Sequence, residues 1–266
     1  MRIVLAVASL VSVAVLGTGT TVRADDDDAT VCHGGPIAPG EYDGLTIDGF
    51  CFLASSGTIT VDGTLLVQPG QSFFANYPPG AMGSGSPEGD ATLVVWGDVR
   101  VQDGAMALLG CDPEISCVNT VGDAIHGDVV NHDGLGVIIH DAKIWGNLSI
   151  RGGGGGINCS NPTGNPAFSF GVYNDLETSW VGGEVSVHDV NSCWFGLFND
   201  EVKHDVSIDN NTFADPDATE IASNDFDRNV RCFDNVPAAQ IGDSGGSVNK
   251  VKGEASGQCA AISVKG

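Results

Sequence analysis

Residues 204–213 read His-Asp-Val-Ser-Ile-Asp-Asn-Asn-Thr-Phe, and this stretch predicts the fold. Val206 and Ile208 alternate with polar residues, which is the period of a β-strand with one buried face. The Asp-Asn-Asn segment at 209–211 follows at once, and these residue types favour turns because they tolerate left-handed backbone. The unit is therefore a short strand that ends in a tight turn.

The same unit recurs along the chain as a small or acidic residue, an apolar-x-apolar-polar strand and a final Asp, Asn or Gly. Its copies are Gly44–Gly49, Gly57–Gly63, Asp98–Asp103, Asp128–Asp133, Asn147–Gly152, Glu184–Asp189, Asp205–Asn210 and Asn229–Asp234. From the third copy onward, the first apolar positions are separated by 30, 19, 37, 21 and 24 residues. Gaps of about 20 residues fit one coil of a solenoid, and longer gaps predict inserted loops. The expected loops are Gln71–Ala91, Gly110–Thr120 and Gly152–Ala167.

The unit at 204–213 resembles the repeat of right-handed parallel β-helix proteins of the pectate-lyase-like superfamily, and Gly183–Asn191 and Asn229–Asn235 are similar to it. The resemblance covers residues 44–235. It implies an all-β chain folded as a right-handed parallel β-helix, which is one kind of β-solenoid. That superfamily contains polysaccharide lyases, glycosidases, adhesins and proteins with no known catalysis, so the fold does not define the function.

The N-terminus has the pattern of a secretory signal peptide over residues 1–24. Met1 and Arg2 form a basic start, residues 3–16 are almost wholly apolar, and a small-x-small cleavage pattern ends at Ala24. The apolar run is short for a membrane span, and no second run follows it. We therefore expect a secreted, extracellular protein without membrane insertion.

The charge is strongly acidic, with 11 Lys and Arg against 34 Asp and Glu. Loss of Arg2 and Arg23 with the signal peptide leaves 9 basic residues and a formal charge of −25. Such a surface excludes nucleic acid and anionic lipid as partners. It also repels acidic polysaccharides unless calcium bridges the two. We expect no cofactor other than calcium, which suits an acidic surface outside the cell. The expected partner is an extracellular polysaccharide or a component of the cell envelope.

The eight cysteines are an even number, which suits an oxidising compartment. No Cys-x-x-Cys motif is present, so disulfides are favoured over a metal site. The sequence alone does not fix the pairing, and our prediction joins near neighbours. The predicted pairs are Cys32–Cys51, Cys111–Cys117, Cys159–Cys193 and Cys232–Cys259. These bonds would staple the ends and the loops of the solenoid.

A solenoid needs covered ends, because an open edge strand invites aggregation. We therefore divide the chain into a signal peptide (1–24), an acidic leader (25–31) and a single β-helix domain (32–266). Within that domain the predicted parts are an N-terminal cap (32–56), the coils (57–235) and a C-terminal cap (236–266).

Alignment of the copies places His132, Arg151, His188 and Asp209 in one column that faces outward from the strands. Neighbouring coils lie about 4.8 Å apart, so these side chains are predicted to touch. An arginine can neutralise a uronate carboxylate, and histidine or arginine can take the adjacent proton. The four residues are our candidate catalytic residues. The alternative is a solvated polar column without a function, as is common on outward faces.

Residues 242–246, Gly-Asp-Ser-Gly-Gly, resemble the nucleophile segment of chymotrypsin-like serine proteases. That chemistry needs a histidine base beside the serine, and the family's Ala-His-Cys segment is absent. We interpret the segment as a turn near the C-terminus and do not expect a serine protease.

Four His-Asp dipeptides, which begin at His132, His140, His188 and His204, are likewise interpreted as turn starts.

Two further sets of residues have a functional and a structural interpretation. The residues just before the strands offer oxygen ligands for calcium, but turn and solvation chemistry is favoured: Asp98, Asp128, Asn147, Glu184 and Asp205. The four tryptophans are Trp96, Trp145, Trp180 and Trp194. They would suit a sugar-stacking platform, but Trp145 and Trp194 lie in apolar runs, which favours core packing.

Two classes of function follow from these patterns. The first is a non-catalytic extracellular protein that uses the solenoid surface for adhesion, envelope structure or glycan binding. The second is a polysaccharide lyase or glycoside hydrolase with its site on the column of His132, Arg151, His188 and Asp209. The first is preferred, because no catalytic signature of a family is intact.

Overall fold

The computed structural model describes residues 29–53, 56–75, 90–110, 122–160 and 173–266. The predicted signal peptide, most of the acidic leader, the pair Cys111–Cys117 and large parts of the three predicted loops lie outside the described residues.

The described chain is all-β, and its strands pair in parallel. Sheet A contains β1 (Thr30–Cys32), β4 (Leu45–Ile47), β7 (Leu65–Val67), β10 (Val99–Val101), β13 (Val129–His132), β16 (Leu148–Arg151), β19 (Val185–His188), β23 (Val206–Asp209), β27 (Val230–Phe233) and β29 (Ala255–Gly257). Sheet B contains β2 (Gly35–Ile37), β5 (Phe50–Leu53), β8 (Ser72–Phe74), β11 (Met106–Gly110), β14 (Gly136–His140), β17 (Tyr173–Glu177), β21 (Trp194–Phe198) and β25 (Glu220–Ala222).

Sheet C contains β3 (Gly40–Tyr42), β6 (Ser56–Val61), β9 (Asp90–Val95), β12 (Ala124–Ile125), β15 (Lys143–Ile144), β18 (Trp180–Val181), β22 (Glu201–Val202), β26 (Asp225–Phe226), β28 (Asn249–Val251) and β30 (Ser263–Lys265). A small fourth sheet pairs β20 (Asn191–Ser192) with β24 (Thr212–Phe213), and residues Gln258–Ile262 form a short 3₁₀ helix.

The chain visits the three large sheets in a fixed order. Strands β1, β2 and β3 lie in sheets A, B and C, and β4 returns to sheet A beside β1. We call each such passage a circuit. Parallel neighbours need a long connection between them, and here the strands of the other two sheets supply it. The repeated circuits are compatible with the predicted solenoid.

The register of sheet A reproduces the spacing of the sequence repeats. The predicted first apolar positions are direct partners in the ladder, in the order Val99, Val129, Leu148, Val185, Val206 and Val230. The unequal gaps in the sequence therefore arise in the connections between the strands of sheet A, while the strands keep their alignment.

One copy of the repeat belongs to a different sheet from the others. The copy at Gly57–Gly63 supplies β6 of sheet C, which pairs with β3 and β9. The sheet A strand of that circuit is Leu65–Val67 instead. The reason is physical, because any strand with one buried face alternates in the same way, whichever sheet it joins. Strands β1 and β29 escaped prediction because Thr-Val-Cys and Ala-Ser-Gly do not alternate.

The main apolar core receives side chains from all three sheets. In the eight strands of sheet A from β4 to β27, the first and third residues are buried and the second is more exposed, as in Val99, Arg100 and Val101. The core cluster continues from Ile37 to Ile262. Each fully buried Val, Leu or Ile contributes roughly 1.5–3 kcal/mol relative to an exposed one, so this core holds the circuits together.

The corners of the circuits use left-handed backbone. Asp133 and Asp189 follow strands of sheet A with φ of 56° and 60°, and Asp141 follows a strand of sheet B with φ of 48°. Each of these aspartates is the second residue of a His-Asp dipeptide, which agrees with the interpretation of these dipeptides as turns. The fourth dipeptide, His204-Asp205, lies before a strand of sheet A.

Three disulfides join described residues: Cys32–Cys51, Cys159–Cys193 and Cys232–Cys259. These are three of the four disulfides that the sequence analysis predicts. Disulfides of this kind are compatible with an extracellular protein. No helix in the described ranges is long and apolar enough to span a membrane.

A buried ladder of polar side chains runs along the corner between sheets B and C. The Oδ1 atoms of Asn249 and Asn224 accept from the backbone N–H groups of Asn224 and Asp200, at 3.1 and 2.8 Å. Asp200 continues the ladder, since its Oδ1 accepts from the backbone N–H of Ser179 at 2.9 Å. The amide groups of both asparagines also donate to carbonyl oxygens, Asn224 to Leu197 at 2.9 Å. Asp200 has no amide to donate, and its buried Oδ2 has no hydrogen-bond partner in the structure.

This ladder predicts a pH-dependent stability that depends on Asp200. Burial raises the pKa of Asp200 well above its usual range, and the nearby Asp175 and Glu177 raise it further. The unfolded carboxyl group ionises from about pH 4 upward, while the folded one stays protonated. The free energy of unfolding should therefore fall as pH rises from about 4 towards the raised pKa.

Asp200→Asn restores the amide and should remove this fall, as measured by urea denaturation of both proteins between about pH 4 and pH 8. The matched control is Asn224→Asp, which places a carboxyl group at the next position of the ladder and should steepen the fall. Equal pH slopes for Asp200→Asn and the wild type would contradict this role.

Candidate functional site

The outward face of sheet C carries two columns of side chains in register. The first column contains Lys143, Trp180, Glu201, Asp225 and Lys250 on successive strands. The second column contains the residues that directly follow the strands of sheet C from β9 to β22. Since Val95, Ile125, Ile144, Val181 and Val202 are aligned and buried, their successors project outward together: Trp96, His126, Trp145, Gly182 and Lys203.

Four rings form a row on this face, which we call the aromatic row: Trp96, His126, Trp145 and Trp180. His126 is stacked on both sides, with ring centroids 3.9 Å from Trp96 and 4.2 Å from Trp145. The ring planes are nearly parallel and differ by only 11° and 9°. The rings lie about one strand spacing apart, because they project from neighbouring parallel strands. Trp180 meets Trp145 edge-on at 6.2 Å and 65°.

The exposure of these rings corrects the core-packing interpretation of Trp145. Trp96 is 53% exposed and Trp145 is 38% exposed. Ile144 takes the inward position of its strand, so the two-residue period turns Trp145 outward. Trp194, on sheet B, is half-buried and packs against the core and against Phe198, so core packing is right for that residue.

Each exposed tryptophan keeps one ring face that His126 does not cover. Next to Trp145, the ammonium of Lys143 lies 4.7 Å from the Trp145 ring centroid and 4.9 Å from that of Trp180. Gly182 makes this arrangement fit, since a Cβ there would lie 2.8 Å from the Trp180 ring. The two indoles and Lys143 thus form an open corner at one end of the row.

A groove of about 580 Å³ lies beside this corner. Its lining combines rings, a cation and hydrogen-bonding groups, among them Asp141, Lys143, Trp145, Thr178, Trp180 and Asn199. Burial raises the pKa of Asp141. Apolar ring surface with a few convergent polar groups is the usual composition of a small-molecule or glycan subsite.

Beyond the aromatic row, the same face becomes charged and paired. Lys203 contacts Glu201 and Asp227, each at 2.7 Å, and Lys252 contacts Asp227 at 2.6 Å. Hydrogen bonds to Asp227 and Glu201 raise the pKa of Lys203 to about 12. This half of sheet C is therefore an exposed network of ion pairs, of a kind that contributes little to stability by itself.

The predicted catalytic residues do lie in one column, on sheet A. His132, Arg151, His188 and Asp209 are direct partners on β13, β16, β19 and β23. His188 Nδ1 lies 3.7 Å from Asp209 Oδ2. His132 is 70% exposed at its side chain and lies 3.4 Å from Asp133. The register is thus as the aligned copies predict, and the catalytic role stays a prediction.

Asp209, at one end of this column, already contacts neighbouring side chains of sheet A. Ser207 donates to Asp209 Oδ2 at 2.6 Å, and Arg231 donates to the Ser207 hydroxyl at 2.9 Å. Arg231 also lies 3.3 Å from Asp209. His188 Nε2 is 3.5 Å from Ser207 Oγ, but the hydroxyl proton points to Asp209. Ser207 is therefore not arranged as a nucleophile with a histidine base.

The Gly-Asp-Ser-Gly-Gly segment has a partner that the sequence did not reveal. Ser244 donates to Glu220 through its hydroxyl at 2.8 Å and through its backbone N–H at 2.9 Å. Burial raises the pKa of Glu220, and the charges of Asp217 and Asp243 add to the rise. A carboxyl group, and not a histidine, thus holds the serine, as fits a structural turn.

Two groups of described side chains have a spacing compatible with metal ligation. Carboxylate oxygens of Asp217, Glu220 and Asp243 lie within 4.8 Å of one another. The same limit holds for the ligand atoms of a second group, His140, Asp175 and Glu177. A buried His140–Asp175 contact of 2.9 Å already satisfies part of that second group.

Three residues that precede strands of sheet A, considered above as calcium ligands or as turn residues, accept hydrogen bonds from backbone N–H groups. Asp128 Oδ1 accepts from the backbone N–H of Asn147 at 2.7 Å, and Asn147 Oδ1 accepts from that of Glu184 at 2.8 Å. Asp98 accepts in the same way from Asp128 at 3.0 Å. Burial opposes the ionisation of Asp98, but this hydrogen bond and Arg100 together lower its pKa. Each oxygen thus ties one circuit to the next.

The aromatic row has a sequence signal that the alignment of sheet A copies missed. An apolar residue, an aromatic residue, Gly and then Asp or Asn recur at 95–98, 125–128 and 144–147. Aligned by the acidic or amide position, these segments place Trp96, His126 and Trp145 in one column. The strands of sheet C are short there, so their alternation is too brief to attract notice.

Comparison of this chain with protein-family models, with curated proteins and with solved structures finds no match. A functional conclusion therefore depends on the geometry of the chain's own side chains. The exposed aromatic row and its groove are the features that packing alone does not explain.

Proposed function

We propose that this protein is a secreted right-handed parallel β-helix that binds extracellular glycans without catalysis, through the aromatic row on sheet C. The observation that carries the proposal is the exposed, in-register stack of Trp96, His126 and Trp145 beside a groove. Such binding would serve adhesion or attachment to the cell envelope.

The architecture supports the proposal. The order of sheets A, B and C in the first eight circuits, with parallel pairing throughout the described strands, is the connectivity expected of a β-helix. Connections between parallel strands of one sheet are right-handed in nearly all proteins, which gives the proposed hand. The three disulfides support an oxidising location.

The chemistry of the row favours sugars. A pyranose ring has an apolar face that packs on an indole and hydroxyl groups that need hydrogen bonds. The exposed ring surface of Trp96 and Trp145 supplies the first, and groove residues such as Asp141 and Asn199 supply the second. None of the indole N–H groups of Trp96, Trp145 and Trp180 donates a hydrogen bond to another described residue.

Trp145→Ala should weaken glycan binding about tenfold, since one stacked aromatic contributes roughly 1–3 kcal/mol. Binding would be screened on a glycan array and measured by calorimetry for the best ligand. The matched control is Phe233→Ala, which removes a ring that is 45% exposed on sheet A. The control should bind as the wild type does. Equal losses in both variants, or no loss in Trp145→Ala, would refute the site.

The alternative function is a polysaccharide lyase or glycoside hydrolase on sheet A. The observation that favours it is the register of His132, Arg151, His188 and Asp209. It predicts that Arg151→Ala or His188→Ala abolishes turnover while the melting temperature stays nearly unchanged.

Turnover would be followed as new reducing ends and as absorbance of unsaturated uronates, on a polysaccharide panel with calcium and with a chelator. We expect the wild type to cleave none of the polymers that it binds. Cleavage that disappears in both variants would establish the enzyme and displace the proposed function. Cleavage that persists in both would place the activity elsewhere.

A further inference from the structure

The lysines of this chain are concentrated on one face. All five, Lys143, Lys203, Lys250, Lys252 and Lys265, lie in strands of sheet C or directly after them. The remaining basic residues after residue 24 are four arginines on other parts of the chain. Charges beyond about 8 Å are largely screened at physiological salt, so an approaching anion responds to this face more than to the net charge.

Lys143 differs from the other lysines of the face in its partners. Lys203, Lys250 and Lys252 pair with carboxylates, and Lys265 donates to backbone oxygens. Lys143 has no carboxylate within 4.0 Å among the residues of the described ranges. Its ammonium contacts the rings of Trp145 and Trp180 instead. A new anion can therefore pair with it without breaking an existing ion pair.

The position of this ammonium matters for a stacked sugar. It lies 4.7 Å from the Trp145 centroid, at the corner that the partly exposed Trp145 forms with Trp180. A pyranose packed at this corner would bring a ring substituent to the lysine. Asp141 and Glu201 line the same groove and would repel additional anionic groups.

We propose that Lys143 selects a glycan unit that carries one anionic group, a carboxylate or a sulfate, and pairs with that group while the sugar ring packs against Trp145. This selection rests on the proposed glycan binding at the aromatic row. It reverses, for this face, the repulsion of acidic polysaccharides that the net charge of the chain predicts.

The test compares matched oligosaccharides of equal length that are neutral, uronate-containing or sulfated. Each is titrated by calorimetry into the wild type, Lys143→Gln and Lys143→Arg at low and high salt. Lys250→Gln is the control, because Lys250 is an exposed lysine of the same column. Lys143→Gln should bind the acidic ligand about tenfold more weakly relative to the neutral one and so lose the preference, while Lys143→Arg and the control keep it.

The preference should also shrink at high salt, and the better of the two acidic ligands identifies the anionic group. Equal binding of neutral and acidic ligands by the wild type would overturn the selection and leave glycan binding intact. The same holds if Lys143→Gln keeps the preference. Absence of binding by any oligosaccharide would overturn glycan binding itself, and the selection with it.

Discussion

Parallel pairing in register, repeated from circuit to circuit, is the constraint on which the rest of this structure depends. It places every residue about 4.8 Å from its counterpart in the next circuit, so like positions form continuous rows. The same constraint produces the stack of Trp96, His126 and Trp145, the buried amide ladder of Asn224 and Asn249, and the paired charges beyond Trp180. The identity of each row is decided by a few residues of the repeat.

How much the sequence predicts depends on which sheet is considered. The sheet A column from His132 to Asp209 follows from aligned copies, because three- and four-residue strands with buried first and third positions repeat there. Sheet C contributes two-residue strands around Trp145, where alternation is too short to separate an outward ring from a core ring. The position of Asp200 in a buried ladder does not follow from the sequence pattern, because the two-residue corner at 199–200 is too short to show an alternation.

The charge of this chain shows a related limit of composition. An excess of acidic residues excludes partners only if the basic residues are spread evenly over the surface. Here every lysine is on sheet C, while carboxylates elsewhere, such as Asp98 and Asp128, are tied to backbone N–H groups of the next circuit. Net charge therefore describes the average surface, and a single face such as that of sheet C has its own balance of charges.

The two outward faces differ in how far their polar groups are already satisfied. On sheet A, Asp209 accepts from Ser207 and from the backbone of Phe233 and contacts Arg231, so it has little capacity left for a substrate. On sheet C, the Lys143 ammonium rests on aromatic rings whose exposed surface gains by being covered. A ligand of Asp209 on sheet A would compete with these hydrogen bonds, whereas the Lys143 ammonium on sheet C has no carboxylate partner among the described residues. This difference supports the proposed binding at the aromatic row.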